Sequence, residues 1–345
     1  MKAWYALGSV IVLFFSILPQ DCQSPTLQHG VSIDIARKYY SVDTLKKIID
    51  TISQNNGDYL QLHFSDNQNY ALTSRDMLHS EQSKLTKDDV KELLNYSNKH
   101  DVMIVPDIDF PSHAGALLAY LHTYNLKTYK SVVTDFDTNT LDYFDNPEAL
   151  NLSKRYIKEV MDLFEQPRYA GKQRIVIGGD EVPGSYVHQS ALIQYINRLA
   201  QTAHSKGYQP QIWNDSLTKK GITQLNSNIS VLFWKQKDVD RSQQVSVEDL
   251  SRAGIQVFNY NAQTLYFLPS PKYSKEGIQK QQQYIKKHYV ENRFNYSQEP
   301  HHLVSSTCIQ GDGLSIWSEH AEGMSQQELL DQIQPLIKAY LKNIK

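Results

Sequence analysis

The sequence predicts a single (β/α)8 TIM barrel, and three observations carry that prediction. Eight strand-like apolar runs are interspersed with helix-like segments along the chain. The 345 residues suit one such barrel. No internal repeat, low-complexity tract or composition shift marks a second domain. A doubly wound open sheet is the alternative, and the count of eight favours closure.

The elements follow in order. Val31–Ala36 reads as the first strand, and Val42–Ser53 as a helix with Leu45, Ile48, Ile49 and Ile52 on one face. Tyr59–Phe64 is the second strand. Thr86 has the character of an N-cap, with Asp89 three residues on, and opens a helix to His100. Val102–Val105 is the third strand. Pro147, suited to a first helical turn, opens a helix to Phe164. Ile175–Gly178 is the fourth strand, Ser190–Ser205 a helix stopped by Gly207, and Gln209–Trp213 the fifth strand. Ile229–Trp234 is the sixth strand, Val247–Ala253 a short helix before Gly254, and Ile255–Tyr260 the seventh strand. A polar helix spans Lys275–Lys287, Leu314–Trp317 is the eighth strand, and the last helix runs from Ser325 to Ile344. The stretches 121–146 and 266–300 are the longest loops and the expected substrate walls.

Composition narrows the function. The chain is 40% hydrophobic and 21% charged with net charge −2, so no basic surface points to nucleic acid. Residues 1–24 read as a signal peptide or N-terminal membrane anchor, with Lys2 ahead of an apolar Ala6–Leu18 region, and residues 25–345 as the (β/α)8 domain. This implies a secreted or cell-surface protein, with Cys22 a position for lipid attachment, and a monomer is expected. Cys22 and Cys308 are the only cysteines, and with Cys22 in the leader no structural disulfide is expected.

In a barrel, chemistry sits at the C-terminal ends of the strands. Those ends carry Asp34 and Arg37, then His63 and Asp66, then Asp107, Asp109 and His113. The fourth strand ends in Gly178-Gly179-Asp180-Glu181-Val182-Pro183-Gly184. Trp213, Asn214 and Asp215 follow the fifth, Trp234 the sixth, Tyr260 and Tyr266 the seventh, and Trp317 and Glu319 the eighth. Singly, each has a plain structural role open to it: core histidine, packing indole or helix cap. Together, a ring of acids with aromatic walls describes a sugar pocket, with rings stacking on a pyranose face and carboxylates binding hydroxyls. Adjacent residues of a regular strand face opposite ways, so Asp180 and Glu181 reach one sugar only if the strand breaks there. Pro183 and Gly184 suggest that break. There is no His-x-His pair for a barrel metal, no serine elbow, and no phosphate loop or dinucleotide fingerprint, so neither metal nor cofactor is expected.

Ile177-Gly178-Gly179-Asp180-Glu181 resembles the signature of glycoside hydrolase family 20, the β-N-acetylhexosaminidases. Asp34-Ile35-Ala36-Arg37, His63-Phe64-Ser65-Asp66, Trp213-Asn214-Asp215, Asn259-Tyr260-Asn261 and Leu314-Ser315-Ile316-Trp317-Ser318-Glu319 continue the resemblance in the same order. It implies substrate-assisted retention, with Glu181 as general acid and base, Asp180 orienting the 2-acetamido group, and Tyr266 donating to its oxygen. It also implies Trp213, Trp234 and Trp317 as pocket walls, Arg37, Glu319 and Asp215 as sugar contacts, and Asp66, Asp109 and His113 as supports for the acid pair. Beyond Trp234, Asp238 or Asp240 is expected to supply an acidic sugar contact, with Asp240 taken here. The partner implied is an N-acetylglucosamine polysaccharide, specifically β-1,6-linked poly-N-acetylglucosamine, the adhesive of bacterial biofilms. Chitooligosaccharides or glycoprotein glycans are the alternative substrates, and a catalytically silent surface lectin the alternative class. The chain departs from the family at Asp107, usually Glu, and at Ser112, usually Gly.

Overall fold

The computed structural model describes Cys22 and residues 26–80, 82–235, 243–294 and 301–344. Asp238, Asp240 and the apolar 6–18 stretch, expected to be part of a signal peptide or anchor, lie outside the described residues. The predicted barrel is present. Its strands are β1 (Gln28–Asp34), β2 (Tyr59–Ser65), β3 (Met103–Phe110), β4 (Arg174–Gly178), β5 (Gln209–Trp213), β6 (Ser230–Phe233), β7 (Val257–Asn259), β8 (Tyr266–Phe267) and β9 (Ile309–Ile316). All pairings are parallel, and β1 closes the ring on β9 from Gln28↔Gly311 to Ile33↔Ile316.

The seventh barrel position is split. β7 pairs with the first half of β9, from Val257↔Ile309 to Asn259↔Asp312. The chain then leaves the sheet, and β8 pairs with the end of the same strand, at Tyr266↔Ser315 and Phe267↔Ile316. The excursion at 260–265 sets Tyr266 at the mouth.

Alternation along the strands sorts two cores. Val31, Ile33, Leu60, Leu62, Ile175, Ile177 and Ile212 pack against the helices. Tyr59, Met103, Val105, Val176, Trp213, Leu232, Phe258, Tyr260 and Trp317 cluster inside the barrel. Gly313 makes room for one of them: a Cβ there would lie 2.4 Å from the Tyr260 ring. Glycines and Asp312 also explain why the sequence shows only the apolar end of this eight-residue strand.

The helices are α1 (Val42–Ser53), α2 (Lys87–Lys99), α3 (Gly115–Tyr124), α4 (Leu126–Val132), α5 (Pro147–Leu163), α6 (Gln189–Ser205), α7 (Lys219–Ile222), α8 (Val247–Arg252), α9 (Lys275–His288) and α10 (Gln326–Leu341). Leu45, Ile48, Ile49 and Ile52 of α1 are fully buried, as their spacing predicts. Thr86 and Ser325 cap α2 and α10 in reciprocal capping boxes with Asp89 and Glu328. The stretch 121–146 is not a plain loop: the end of α3 and all of α4 occupy its first part. No helix among the described residues is long and apolar enough to cross a membrane.

Cys22 and Cys308 form a disulfide, which corrects the expectation of none. The two are 286 residues apart in sequence, yet Cys22 precedes β1 and Cys308 precedes β9. Closure of the barrel makes those strands neighbours, so it brings the two cysteines to the same end of the sheet.

Candidate active site

The site is organised by the break after β4. Gly178 has φ +118° and Gly179 φ +97°, conformations that disfavour any other residue. A Cβ on Gly178 would lie 1.7 Å from the Phe110 carbonyl oxygen, which instead accepts from the Gly179 N–H at 3.1 Å. The strand therefore ends two residues before the acid pair, and the glycines rather than Pro183 and Gly184 turn Asp180 and Glu181 off the ladder. Glu181 is itself left-handed at φ +47°. Its N–H donates to Asp215 Oδ2 at 2.9 Å, and the next N–H, of Val182, donates to Ser216 Oγ at 2.9 Å. The Ser112 hydroxyl donates to the Asp180 carbonyl. Those bonds offset a strain of about 1–2 kcal/mol at Glu181.

The two carboxyls differ in setting. The Glu181 side chain is 57% exposed, whereas Asp180 is buried. Burial, then the neighbouring Asp215, Asp109 and Glu181, push the Asp180 carboxyl well above its ordinary range. Asp180 Oδ1 and the indole N–H of Trp213 are buried without a hydrogen-bond partner. Polar atoms left unpaired inside a protein are costly, so these are the ones a ligand would satisfy.

The aromatic wall surrounds them. Trp213 and Trp317 are buried with ring centroids 6.0 Å apart. Trp234 and Tyr266 face each other as parallel rings with centroids 6.4 Å apart. Burial first, then the charges of Glu319 and Asp180, raise the Tyr266 hydroxyl, which keeps its proton and stays a donor.

Behind the acids runs a continuous column of polar side chains. Arg174 lies buried at the floor, 4.0 Å over the Tyr59 ring and 4.7 Å over Phe258. The Tyr59 and Tyr260 hydroxyls are 2.9 Å apart. Tyr260 donates to Gln61 Oε1 at 2.8 Å, and Gln61 Nε2 donates to Asp107 at 2.8 Å. His63 lies 3.4 Å from Asp107 and 2.9 Å from Asp66. His113 links Asp66, at 3.3 Å, to Asp180, at 3.7 Å. Asp66 thus holds three cationic or cation-forming groups, the third being Arg37 at 2.7 Å. Burial pushes its carboxyl up, but the bonds and charges of His113 and His63 outweigh this and hold it well below the carboxylate range. Burial opposes charge on both imidazoles, yet Asp107 and Asp66 raise His63, and Asp66 and Asp109 raise His113. Asp109, fully buried, is pushed up to about 8, chiefly by burial.

The residues singled out from sequence, apart from Asp240, which lies outside the described residues, are brought to one end of the barrel, and two of them are occupied by protein partners. Arg37, expected to bind a sugar hydroxyl, bridges Asp34 at 2.9 Å and Asp66, and lies 5.7 Å from the Trp317 ring centroid. Asp215, expected at the sugar, has both oxygens engaged, by the Glu181 N–H and by the Trp234 indole N–H at 3.1 Å. It positions the acid and one wall. Glu319 sits exposed at the rim. Sequence reasoning did not single out Ser112 and Ser216 as tethers of the acid turn; in the loop after Glu181, the Tyr186 hydroxyl donates to the Asp215 carbonyl at 2.6 Å. A serine one residue past a strand-end Asp was the available signal for Ser216.

A closed parallel barrel with an acid pair and indole walls at its C-terminal mouth is an arrangement suited to holding a sugar against two carboxyls. The chain belongs to glycosyl hydrolase family 20: the catalytic domain of that family matches residues 28–337. The crystal structure of Dispersin B superposes with a TM-score of 0.81 at 26% identity, covering 92% of this chain and 98% of that one. A pneumococcal exo-β-D-N-acetylglucosaminidase module shares the fold, with a TM-score of 0.74 over 92% of this chain and 83% of the module, at 21% identity. The β-hexosaminidase subunit beta of Entamoeba histolytica is 27% identical over 266 residues, 65% of this chain and 45% of that protein. The chain spans less than half the length of the curated relatives it matches.

Proposed function

We propose that the protein is a β-N-acetylglucosaminidase that hydrolyses β-1,6-linked poly-N-acetylglucosamine of biofilm matrix by substrate-assisted retention. The observation that carries the reading is the unlike pair: a buried Asp180 with an unpartnered oxygen beside an exposed Glu181, next to the Trp213–Trp317 wall and Tyr266. Glu181 protonates the glycosidic oxygen as the bond to C1 breaks. The substrate's own acetamido oxygen bonds C1 from the opposite face, closing an oxazolinium ring. Because this nucleophile is part of the bound sugar, its attack is intramolecular. Asp180 accepts from the acetamido N–H through its unpartnered oxygen and orients the group, while Tyr266 donates to the acetamido oxygen. Glu181, now ionised, takes a proton from water as that water attacks C1 and opens the ring, giving product with retained configuration.

The likeness to Dispersin B over nearly that whole chain supports a one-domain family 20 enzyme, and the polymer is the one the sequence resemblance implies. The enzyme works outside the cell or at its surface, and the Cys22–Cys308 disulfide supports this, since disulfides persist in oxidising compartments. The test is product release from soluble β-1,6 poly-N-acetylglucosamine by the wild type and by Glu181→Gln. Release of N-acetylglucosamine or short oligomers by the wild type alone is expected. Turnover of an aryl β-N-acetylglucosaminide without release from the polymer would move the substrate to chitooligosaccharides or glycans. Inertness towards both, in folded protein, would overturn the reading.

A further inference from the structure

A cavity adjoins Glu181. Its volume is about 380 Å³, and Glu181, Pro183, Tyr186, Val187, Asp215 and Lys235 are among its walls. Asp180, Tyr266 and Trp317 are not, so it opens on the other side of Glu181 from the acetamido groups. Resting on the proposed reaction, this is where the leaving sugar sits, because the proton donor must lie between the sugar that is held and the one that departs.

We infer that Lys235 makes this enzyme select its leaving group by charge, favouring neutral or anionic groups and rejecting a protonated amino sugar. The Lys235 ammonium lies 3.9 Å from Glu181 Oε1 and 3.8 Å over the Trp234 ring. It is held by the acid on one side and by a pocket wall on the other. Among the described residues lining the cavity it is the one cation. The acids there do not cancel it during the first step. Asp215 is buried, with both oxygens engaged by N–H donors. Glu181 must carry its proton to act as general acid, so at that moment it is neutral and, among the described residues lining the cavity, no free carboxylate stands against Lys235. A positive charge on the departing sugar then meets a like-charged ammonium, and a carboxylate meets an attractive one. Within the polymer, the bond cleaved is one whose leaving residue keeps its N-acetyl group.

The test uses three matched aryl β-N-acetylglucosaminides at neutral pH, with 4-(carboxymethyl)phenyl, 4-(2-hydroxyethyl)phenyl and 4-(2-aminoethyl)phenyl leaving groups. One unit charge about 6 Å from the ammonium, partly screened by solvent, separates the carboxylate and ammonium substrates by about tenfold in kcat/KM. The wild type is expected to rank them carboxylate, hydroxyl, ammonium, and the spread to narrow as salt is raised. Lys235→Met is expected to flatten the order and Lys235→Glu to invert it, each read as ratios to that variant's own rate on the hydroxyl substrate. A loss of packing alone would slow all three together and leave the ratios and their salt dependence unmoved. Turnover of the neutral glycoside with no charge order, or an order that survives in Lys235→Met, overturns the inference alone. Inertness of the wild type towards the neutral glycoside overturns the reaction on which it rests, and the inference with it.

Discussion

Gly178→Ala tests whether the glycine break builds the acid site. The new Cβ falls 1.7 Å from the Phe110 carbonyl oxygen, where even a very tight contact needs 3.0 Å. β3 and β4 must therefore part by more than 1 Å, or the peptide must rotate away from φ +118°. Parting the strands breaks the 3.1 Å bond from the Gly179 N–H to Phe110, worth about 1 kcal/mol net. The unfavourable backbone conformation adds about 1–3 kcal/mol. A loss of about 3 kcal/mol in unfolding free energy follows. A misplacement of about 1 Å at the acid pair costs roughly a hundredfold in kcat. Gly171→Ala is the control: it has φ +75° with no atom within 4 Å of its added carbon, so it pays only the left-handed penalty of about 1 kcal/mol. Urea unfolding gives the stabilities, and turnover of an aryl β-N-acetylglucosaminide gives the rates. If Gly178→Ala kept kcat within twofold of wild type, or unfolded no more easily than Gly171→Ala, the strand break would not be what positions the acids.

Three further outcomes are expected. Asp215→Asn places an amide NH2 against either the Glu181 N–H or the Trp234 indole N–H, so one of two buried bonds is lost; kcat/KM should fall by about ten- to a hundredfold, and a change under threefold would refute the positioning role. Stability should be greater at pH 5 than at pH 8. The raised His63 and His113 contribute fully below their ordinary 6.5 and lose that contribution as pH rises through their folded values. Asp109, raised from 3.8 to about 8, loses its share over that interval, whereas Asp66, held low, contributes above 3.8 and loses its share only in stronger acid. Asp109→Asn should flatten the slope of melting temperature against pH, and a melting temperature rising from pH 5 to pH 8 would contradict the assignment. Cys308→Ser should lower the unfolding free energy by about 2–4 kcal/mol, and reductant should lower the melting temperature of the wild type but not of the variant.

Much of the barrel was legible because its signals are local. Thr86 and Ser325 announce their helices through capping boxes, and α1 and β5 fall on the predicted residues. What stayed hidden depends on the rest of the molecule. α3 begins at Ala114 with no side-chain cap, and its apolar residues wrap too far round the helix to show a face. β3 continues through Pro106 and two aspartates, and β9 through Gly311 and Asp312, because neighbouring strands and the packed barrel interior hold residues that would not form strands alone. At the site, residue types at strand ends gave the right neighbourhood. They did not distinguish a carboxyl with an unpartnered buried oxygen from one engaged by N–H donors, which is the difference between Asp180 and Asp215. The disulfide was missed for the same reason: two residues far apart in sequence become neighbours only once the ring closes.

The polar column has a practical consequence for anyone wishing to harden this protein. Barrel interiors of this kind are usually stacked with branched aliphatic residues, which makes them inviting places to repack for heat resistance. Here the inside runs from Arg174, stacked on Tyr59 at the floor, through polar side chains to Asp180 at the mouth. An apolar replacement among the bonded members leaves a buried polar partner unpaired. Stabilising substitutions therefore belong in the outer shell between sheet and helices, around Leu45, Ile49, Leu192 and Ile333, where the side chains have no link to the reaction.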